Sequence, residues 1–178
     1  MYQCGLRAVN SLLHRCRREP FQETEINDIN RVVHARELEL CSDGVDTLPD
    51  PEGNYPLEVL IVALRRRGLA TSIVHPRYYG EAAQHRHRRL VMGDVVGFLV
   101  GTGNHYFSIV RGRDLCTWLK EDDDRPRETH PPAIAMSHHR NGCAHGSPYA
   151  MIGELKPLPS MVLQVRMAQP IDDMTMPK

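Results

Sequence analysis

Residues 95–111 read VVGFLVGTGNHYFSIVR, which is two apolar runs joined by a Gly-Thr-Gly-Asn turn at 101–104. Both runs are rich in the β-branched and aromatic residues that favour strands. Glycine and asparagine tolerate the left-handed backbone conformations that tight hairpin turns need. The stretch therefore predicts two neighbouring antiparallel strands.

Three further strand-like runs occur from residue 69 onward, and none occurs before it. They are LATSIVH at 69–75, LCTWL at 115–119 and SMVLQVRM at 160–167. Gly112-Arg113-Asp114 forms a second hairpin-like connection between the run at 105–111 and the run at 115–119. The second part of the chain is therefore predicted to form one antiparallel sheet.

The part of the chain before residue 69 has helical spacing of apolar residues. The first predicted helix starts at Cys4 and runs to about Arg18, with Leu6, Val9 and Leu13 on one face. The second follows Pro20, with Thr24 as its predicted cap, and ends in the 36–40 region. Its predicted apolar face consists of Ile26, Ile29, Val32 and Val33.

A third predicted helix begins at Pro56 and stops at Gly68. It is apolar nearly all round, so it is predicted to be the central packing helix. Residues 41–54, rich in Asp, Gly and Pro, separate it from the second helix as a loop. Helices followed by strands predict an α+β fold in which N-terminal helices pack on an antiparallel sheet.

Size and composition fit one globular domain, predicted to span residues 1–170 of the 178. Residues 125–150 are predicted to be a loop insertion, and 171–178 a C-terminal tail. The insertion contains His130, His138, His139, Cys143 and His145, but no ligand pair has the spacing of a zinc finger. We therefore expect a surface loop there and no metal site.

Charge and hydropathy exclude several classes of partner. Lys+Arg and Asp+Glu both number 22, which gives no net field toward nucleic acid. The basic residues at 65–67 and 84–89 lack interleaved aromatics and are predicted to be a solvated face. No apolar run reaches the roughly 18 residues of a membrane span, and the N-terminus does not resemble a signal peptide. We expect no membrane association.

The five scattered cysteines form no CxxC pair, which favours free thiols in a reducing compartment, cytoplasmic and/or nuclear. Cys4 stands at a predicted helix start, where free N–H groups and the helix dipole favour a thiolate. His105 starts an apolar strand directly after a turn, where an imidazole base would be held rigidly. A single cysteine or histidine in such a position is more often structural than catalytic.

Four blocks of sequence, in order, strengthen the catalytic interpretation. They are CGLRAVNSLL at 4–13, GNYPLEVL at 53–60 with Ala63-Leu64, VGFL at 96–99 followed by NHYF at 104–107 with Val110-Arg111, and Trp118 with Asp122. They resemble the nucleophile motif, the GNY segment and its helix, the strands around the catalytic His, and the aromatic strand ending in Asn or Asp of the Josephin deubiquitinases. The run at 160–167 also fits the family's closing strand.

The resemblance implies a papain-like fold and thiol-dependent hydrolysis of isopeptide or peptide bonds at the ubiquitin C-terminus. It implies that Cys4 attacks the carbonyl, that His105 transfers the proton, and that Asp122 orients His105. Ubiquitin or ubiquitinated proteins would be the partners, and the resemblance implies no metal or organic cofactor. By the same resemblance, the helical segment at 22–40 would help admit substrate.

The sequence departs from the Josephin pattern at three places, one of which is the predicted insertion at 125–150. The family's oxyanion Gln precedes the nucleophile by several residues, whereas here Gln3 is immediately adjacent to Cys4. Either the chain is truncated at its start or activity is weak or absent, because losing one such donor costs about 100 to 1000-fold in rate. The interval from His105 to Asp122 is also longer than the family's, so Asp123 and Asp124 remain alternatives.

Three other interpretations remain open at the level of sequence. The CGLRA string with Asn104-His105-Tyr106 also resembles the otubain class, although the Asp-Gly that usually precedes the otubain Cys is missing. A viral leader-type protease would use the same triad logic. A ubiquitin-binding pseudo-enzyme would retain the fold without the oxyanion Gln.

Overall fold

The computed structural model describes residues 3–40, 55–75, 94–103, 105–112, 118–121 and 159–168, together with residues 152 and 155. Within these ranges three helices precede five strands. The helices are α1 (Cys4–Arg15), α2 (Glu23–Leu40) and α3 (Leu57–Arg66). The strands are β1 (Leu69–Ile73), β2 (Val95–Thr102), β3 (His105–Arg111), β4 (Trp118–Glu121) and β5 (Met161–Met167). The predicted α+β class is confirmed, whereas the predicted insertion and tail lie outside the described residues.

The five strands form one sheet in the order β1-β5-β2-β3-β4, and every neighbouring pair is antiparallel. The predicted hairpin is confirmed, because Thr102 pairs with His105 across the β2–β3 turn and Gly103 has φ +61°. The last strand enters the middle of the sheet, where Leu163 pairs with Leu99 of β2. Segments distant in sequence therefore build the centre of the sheet.

The α1 helix covers the middle of the sheet, where it contacts β2 and β3. Its buried face consists of Gly5, Leu6, Ala8, Val9, Leu12 and Leu13. A Cβ atom at Gly97 of β2 would lie 2.5 Å from Leu12 Cδ2 and 2.6 Å from the Ile109 carbonyl oxygen, so helix and strand approach closely only because residue 97 is glycine. The prediction that the third helix is central is wrong: α3 packs beside α1, between α2 and β1.

The start of α2 differs from the prediction that Thr24 is the cap. The helix already begins at Glu23, and the N–H of Gln22 donates to Glu25 Oε2 at 2.9 Å. The amide of Ile26 in turn donates to the Gln22 carbonyl oxygen at 3.2 Å. A glutamate that returns to the first free N–H is the second half of a capping box, and it starts the helix one turn before Ile26.

The predicted apolar face of α2 is only half buried. Ile26 and Ile29 are fully buried in the first half of the helix, which packs on α3. Val32 is 59% exposed, although it continues the same spacing. Helical periodicity predicts which face of a helix is apolar, but tertiary packing decides how far along the helix that face is covered.

Both faces of the sheet are buried. The face toward α1 contributes Leu99, Val110, Leu163 and Val165 to the core shared with the helices. The opposite face forms a second core of Val74, Val95, Phe98, Val100, Phe107, Ile109, Trp118, Ile152 and Val162. Ile152, directly after the predicted insertion, is 0% exposed in this second core. No helix in the described ranges has both the length and the apolar character needed to cross a membrane.

Candidate active site

Cys4 is the first residue of α1, and its Sγ accepts a hydrogen bond from the backbone N–H of Tyr106 in β3 at 3.4 Å. The thiol is half-buried and is not part of a disulfide. At this position the sulfur lies at the positive end of the helix dipole, among N–H groups that have no partner within the helix. The sulfur therefore lies where the first turn of α1 meets the start of β3.

His105 is the first residue of β3 and directly precedes Tyr106, whose amide binds Cys4. The structure thus brings together the Cys4 and His105 segments, which lie about 100 residues apart in sequence. The imidazole stacks on the Phe107 ring, with the ring centroids 6.2 Å apart and the planes inclined at 26°. The intervening residue, Tyr106, packs in the core shared with the helices.

Gln3 occupies the N-cap position of α1, but its side chain makes no capping hydrogen bond. Its carbonyl oxygen accepts from the Arg7 amide at 2.9 Å and so closes the first helical turn. Gln3 therefore contributes to the start of α1 through its backbone carbonyl. The proposal that its side chain stabilises an oxyanion stays a prediction.

The β4 strand ends at Glu121, one residue before Asp122. Its pairing with β3 runs from Arg111–Trp118 to Ser108–Glu121, so the end of β4 is directed toward the His105 end of β3. Asp122, Asp123 and Asp124 themselves lie outside the described residues. The third member of the triad therefore stays a prediction.

A cleft of about 110 Å³ opens beside Cys4. Its lining comes from one stripe of α1 and from the ends of β3 and β4, namely Cys4, Arg7, Ala8, Ser11, Tyr106, Phe107 and Glu121. The sequence singled out neither Ser11 nor Glu121 as a site residue. The signal available was the helical spacing of residues 4, 7, 8 and 11, which places them on one side of α1.

A chain of three hydrogen-bonded side chains joins α1 to the sheet inside this cleft. The buried Ser108 hydroxyl donates to Ser11 Oγ at 3.0 Å, and Ser11 donates to the Glu121 carboxylate. Ser108 and Glu121 are also paired across β3 and β4. The Glu121 carboxylate is thus directed toward Ser11 of α1.

Asn10 and Tyr55, which belong to two of the Josephin-like blocks of sequence, have structural roles. The Asn10 side chain accepts from the Phe21 N–H at 2.8 Å and donates to the Phe21 carbonyl at 2.9 Å. The buried Tyr55 hydroxyl donates to Asn27 Oδ1 at 2.8 Å. Burial raises the pKa of the Tyr55 phenol, and the nearby Glu23 charge raises it further. These bonds fix the segments before α2 and α3 against the helices.

One tyrosine and one cysteine near α1, Tyr106 and Cys16, have raised pKa values. Burial raises the pKa of the Tyr106 phenol, and the neighbouring Glu58 and Cys4 charges add to that shift. Burial also raises the pKa of the Cys16 thiol, partly offset by Arg18. Cys16 follows the last residue of α1, and its Sγ contacts the Leu12 carbonyl at 3.3 Å. The two cysteines therefore occupy opposite ends of one helix dipole.

The predicted basic face is only partly described. Arg67 bonds to Glu25 at 3.0 Å and to the Glu19 carbonyl at 3.1 Å, and its guanidinium lies 4.1 Å from the centroid of the Phe21 ring. It is a structural residue that ties α3 to the start of α2. Residues 84–89 and the histidines at 130–145 lie outside the described ranges. Within those ranges, no group of three or more His, Cys, Asp or Glu side chains is arranged to hold a metal ion.

No protein-family model matches the chain. A search of curated proteins gives no significant match either.

Proposed function

We propose that this protein is a thiol-dependent deubiquitinase of the Josephin type, with a papain-like arrangement in which Cys4 is the nucleophile and His105 the base. The observation that carries the proposal is the hydrogen bond from the Tyr106 N–H to Cys4 Sγ. It links a cysteine at a helix N-terminus to the strand residue that directly follows the candidate base. The order of the four Josephin-like blocks supports the choice of family.

In the proposed reaction the Cys4 thiolate attacks the carbonyl carbon of the C-terminal glycine of ubiquitin. His105 takes the thiol proton and returns it to the leaving amine, which breaks the isopeptide or peptide bond. Water, deprotonated by His105, then hydrolyses the thioester and releases the ubiquitin carboxylate. The backbone N–H of Cys4, at the start of α1, is the donor available to the oxyanion. The reaction needs neither a metal nor an organic cofactor.

Asp122 is proposed to orient His105. The end of β4 at Glu121 is directed toward the His105 end of β3, which supports a group that follows Glu121 as the partner of His105. The spacing of Trp118 and Asp122 favours Asp122.

The partners implied are ubiquitin and ubiquitinated proteins in a reducing, cytoplasmic or nuclear compartment. The cleft beside Cys4 offers a polar end at Ser11 and Glu121, which suits an extended peptide tail with polar side chains. The α2 helix is proposed to flank the approach to this site. No role is proposed for nucleic acid or membrane.

The decisive test uses ubiquitin carrying a C-terminal electrophile under reducing conditions. We expect covalent capture by the wild type and by Cys16→Ala, and none by Cys4→Ala. Cys16 is a matched control because it lies at the other end of the same helix. Absence of both capture and reversible ubiquitin binding would overturn the Josephin assignment. Covalent capture of a ubiquitin-like modifier, but not of ubiquitin, would identify that modifier as the substrate in place of ubiquitin.

Reversible binding without capture would instead support a ubiquitin-binding pseudo-enzyme. Gln3 favours this second candidate, because it is next to Cys4 and its carbonyl closes the first turn of α1. Isothermal titration with unmodified ubiquitin distinguishes binding from catalysis. Comparison of Cys4→Ala with the wild type then shows whether the thiol contributes to binding.

Iodoacetamide kinetics test the dyad without any substrate. We expect alkylation of Cys4 near neutral pH to be much faster than that of a free thiol, with a bell-shaped pH profile for hydrolysis. His105→Ala should slow the alkylation of Cys4. An unchanged rate would count against a Cys4–His105 dyad.

Asp122→Asn should lower turnover more than Glu121→Gln, because the Glu121 carboxylate is hydrogen-bonded to Ser11 of α1.

A further inference from the structure

We propose that Tyr106 is a positioning residue, whose ring, held between Gly5 of α1 and Gly101 of β2, sets the alignment of Cys4 with the start of β3. This inference rests on the proposed function, because it concerns the geometry of the same thiol. Tyr106 acts through its backbone and its packing, and its phenol needs no part in the chemistry.

The ring of Tyr106 fills the space left by two glycines. Tyr106 and Gly101 are directly paired across β2 and β3, and a Cβ atom at Gly101 would lie 3.2 Å from Tyr106 Cε1. On the other side, a Cβ atom at Gly5 would lie 3.6 Å from Tyr106 Cδ2 and 3.2 Å from Leu60 Cδ2. The ring therefore contacts a strand on one edge and the start of α1 on the other.

These contacts bring α1, α3, β2 and β3 together within one residue of Cys4. Gly5 is the next residue after Cys4, so a ring that packs on Gly5 also fixes the first turn of α1. Tyr106 also supplies the backbone N–H that donates to Cys4 Sγ at 3.4 Å. Hydrogen bonds to sulfur are weak, and this one alone would not hold a helix end against a strand. The packing of the ring supplies the missing constraint.

The alternation of the strand explains why Tyr106 has an indirect role. The Tyr106 ring packs in the core shared with the helices, whereas the His105 imidazole stacks on Phe107, a residue that also lines the cleft beside Cys4. A change in the Tyr106 ring thus reaches His105 only by shifting the backbone between them. A misplacement of about 1 Å in a reacting pair can cost roughly 100-fold in rate.

The test measures iodoacetamide alkylation of Cys4 and Cys16 in the same molecule by peptide mass spectrometry, at several pH values. Cys16 reports on the integrity of the fold, because its thiol is half-buried at the far end of α1. We expect Tyr106→Ala to slow Cys4 alkylation by roughly 10- to 100-fold while the Cys16 rate is unchanged. Tyr106→Phe, which keeps the ring, should restore the Cys4 rate.

Two further variants make the test decisive. Gly101→Ala keeps Tyr106 but adds a methyl group that crowds its ring. It should also slow the alkylation of Cys4, and it provides the test if Tyr106→Ala fails to fold. Phe98→Ala removes an aromatic ring from the opposite face of β2 and should leave the ratio of the two rates unchanged. A wild-type Cys4 no faster than Cys16 would refute the proposed function itself. A fast wild-type Cys4 that stays fast in folded Tyr106→Ala or Gly101→Ala would overturn only the positioning role.

Discussion

At the scale of single residues, Asn10 shows how a side chain can replace missing backbone pairing. Residues 16–22 connect α1 to α2, and their backbone groups lack the regular partners of a helix or strand. The Asn10 amide supplies both a donor and an acceptor to Phe21, whose ring is buried. The asparagine of the nucleophile motif is therefore explained by folding, since its hydrogen bonds are spent on this connection.

We predict that Asn10→Ala destabilises the protein by about 1–3 kcal/mol, because it leaves the Phe21 N–H and carbonyl without their partner. Asn10→Asp should be intermediate, since it keeps an acceptor for the N–H and loses the donor to the carbonyl. Urea unfolding followed by circular dichroism measures the difference. A midpoint for Asn10→Ala equal to that of the wild type would show that water replaces the amide without cost.

At the scale of elements, the start of α2 depends on a carboxylate. Glu25 accepts from the Gln22 amide at 2.9 Å and from Arg67 at 3.0 Å. The Gln22 hydrogen bond, followed by that of Arg67, lowers the pKa of the Glu25 carboxyl. One side chain therefore couples the first turn of α2 to the end of α3.

Because the pKa of Glu25 is lower in the folded than in the unfolded state, its contribution to stability is present at neutral pH. It is lost as the pH falls through the folded-state pKa, below the ordinary value of about 4.3. We predict that Glu25→Gln lowers the melting temperature at pH 7 and that the difference from the wild type shrinks toward pH 3. Glu37→Gln, on the exposed part of the same helix, is the control. A difference that does not change with pH would exclude a charge-dependent cap.

At the scale of the whole molecule, the sheet needs cover on both faces. The helices cover one face. The other face has a core that includes Ile152 as well as Phe98 and Trp118, whose ring centroids are 5.5 Å apart. Ile152 comes from a part of the chain that has no strong apolar pattern in sequence. The second core thus includes a contribution that periodicity does not reveal.

We predict that Ile152→Ala lowers the free energy of unfolding by about 2–5 kcal/mol, as expected for a buried isoleucine truncated to alanine. Ile73→Ala provides a matched control, because Ile73 of β1 is 73% exposed and should lose little. Guanidinium unfolding of both variants gives the comparison. Equal, small effects would mean that Ile152 contributes little to the core in solution.

Local signals were sufficient for most elements of this fold. The turn at 101–104 predicted the β2–β3 hairpin, and the run at 105–111 matches β3 residue for residue. Gly68 ends α3 with φ +75°, as its position after three arginines indicated. The start of α2 was missed because Thr24 is a good cap by residue type, whereas the bond that forms depends on Glu25. Among the residues that line the cleft beside α1, the sequence singled out Cys4 as a site residue but not Ser11 or Glu121.

The sequence by itself determined the order of helices and strands and the residue types at Cys4 and His105, since these depend on neighbours a few residues away. Only the tertiary structure decided that β5 enters between β1 and β2, that α1 rather than α3 covers the middle of the sheet, and that Tyr106 meets Cys4. Such contacts join segments about 60 to 100 residues apart. They are selected by burial of complementary surfaces over the whole chain, and no local pattern encodes that choice.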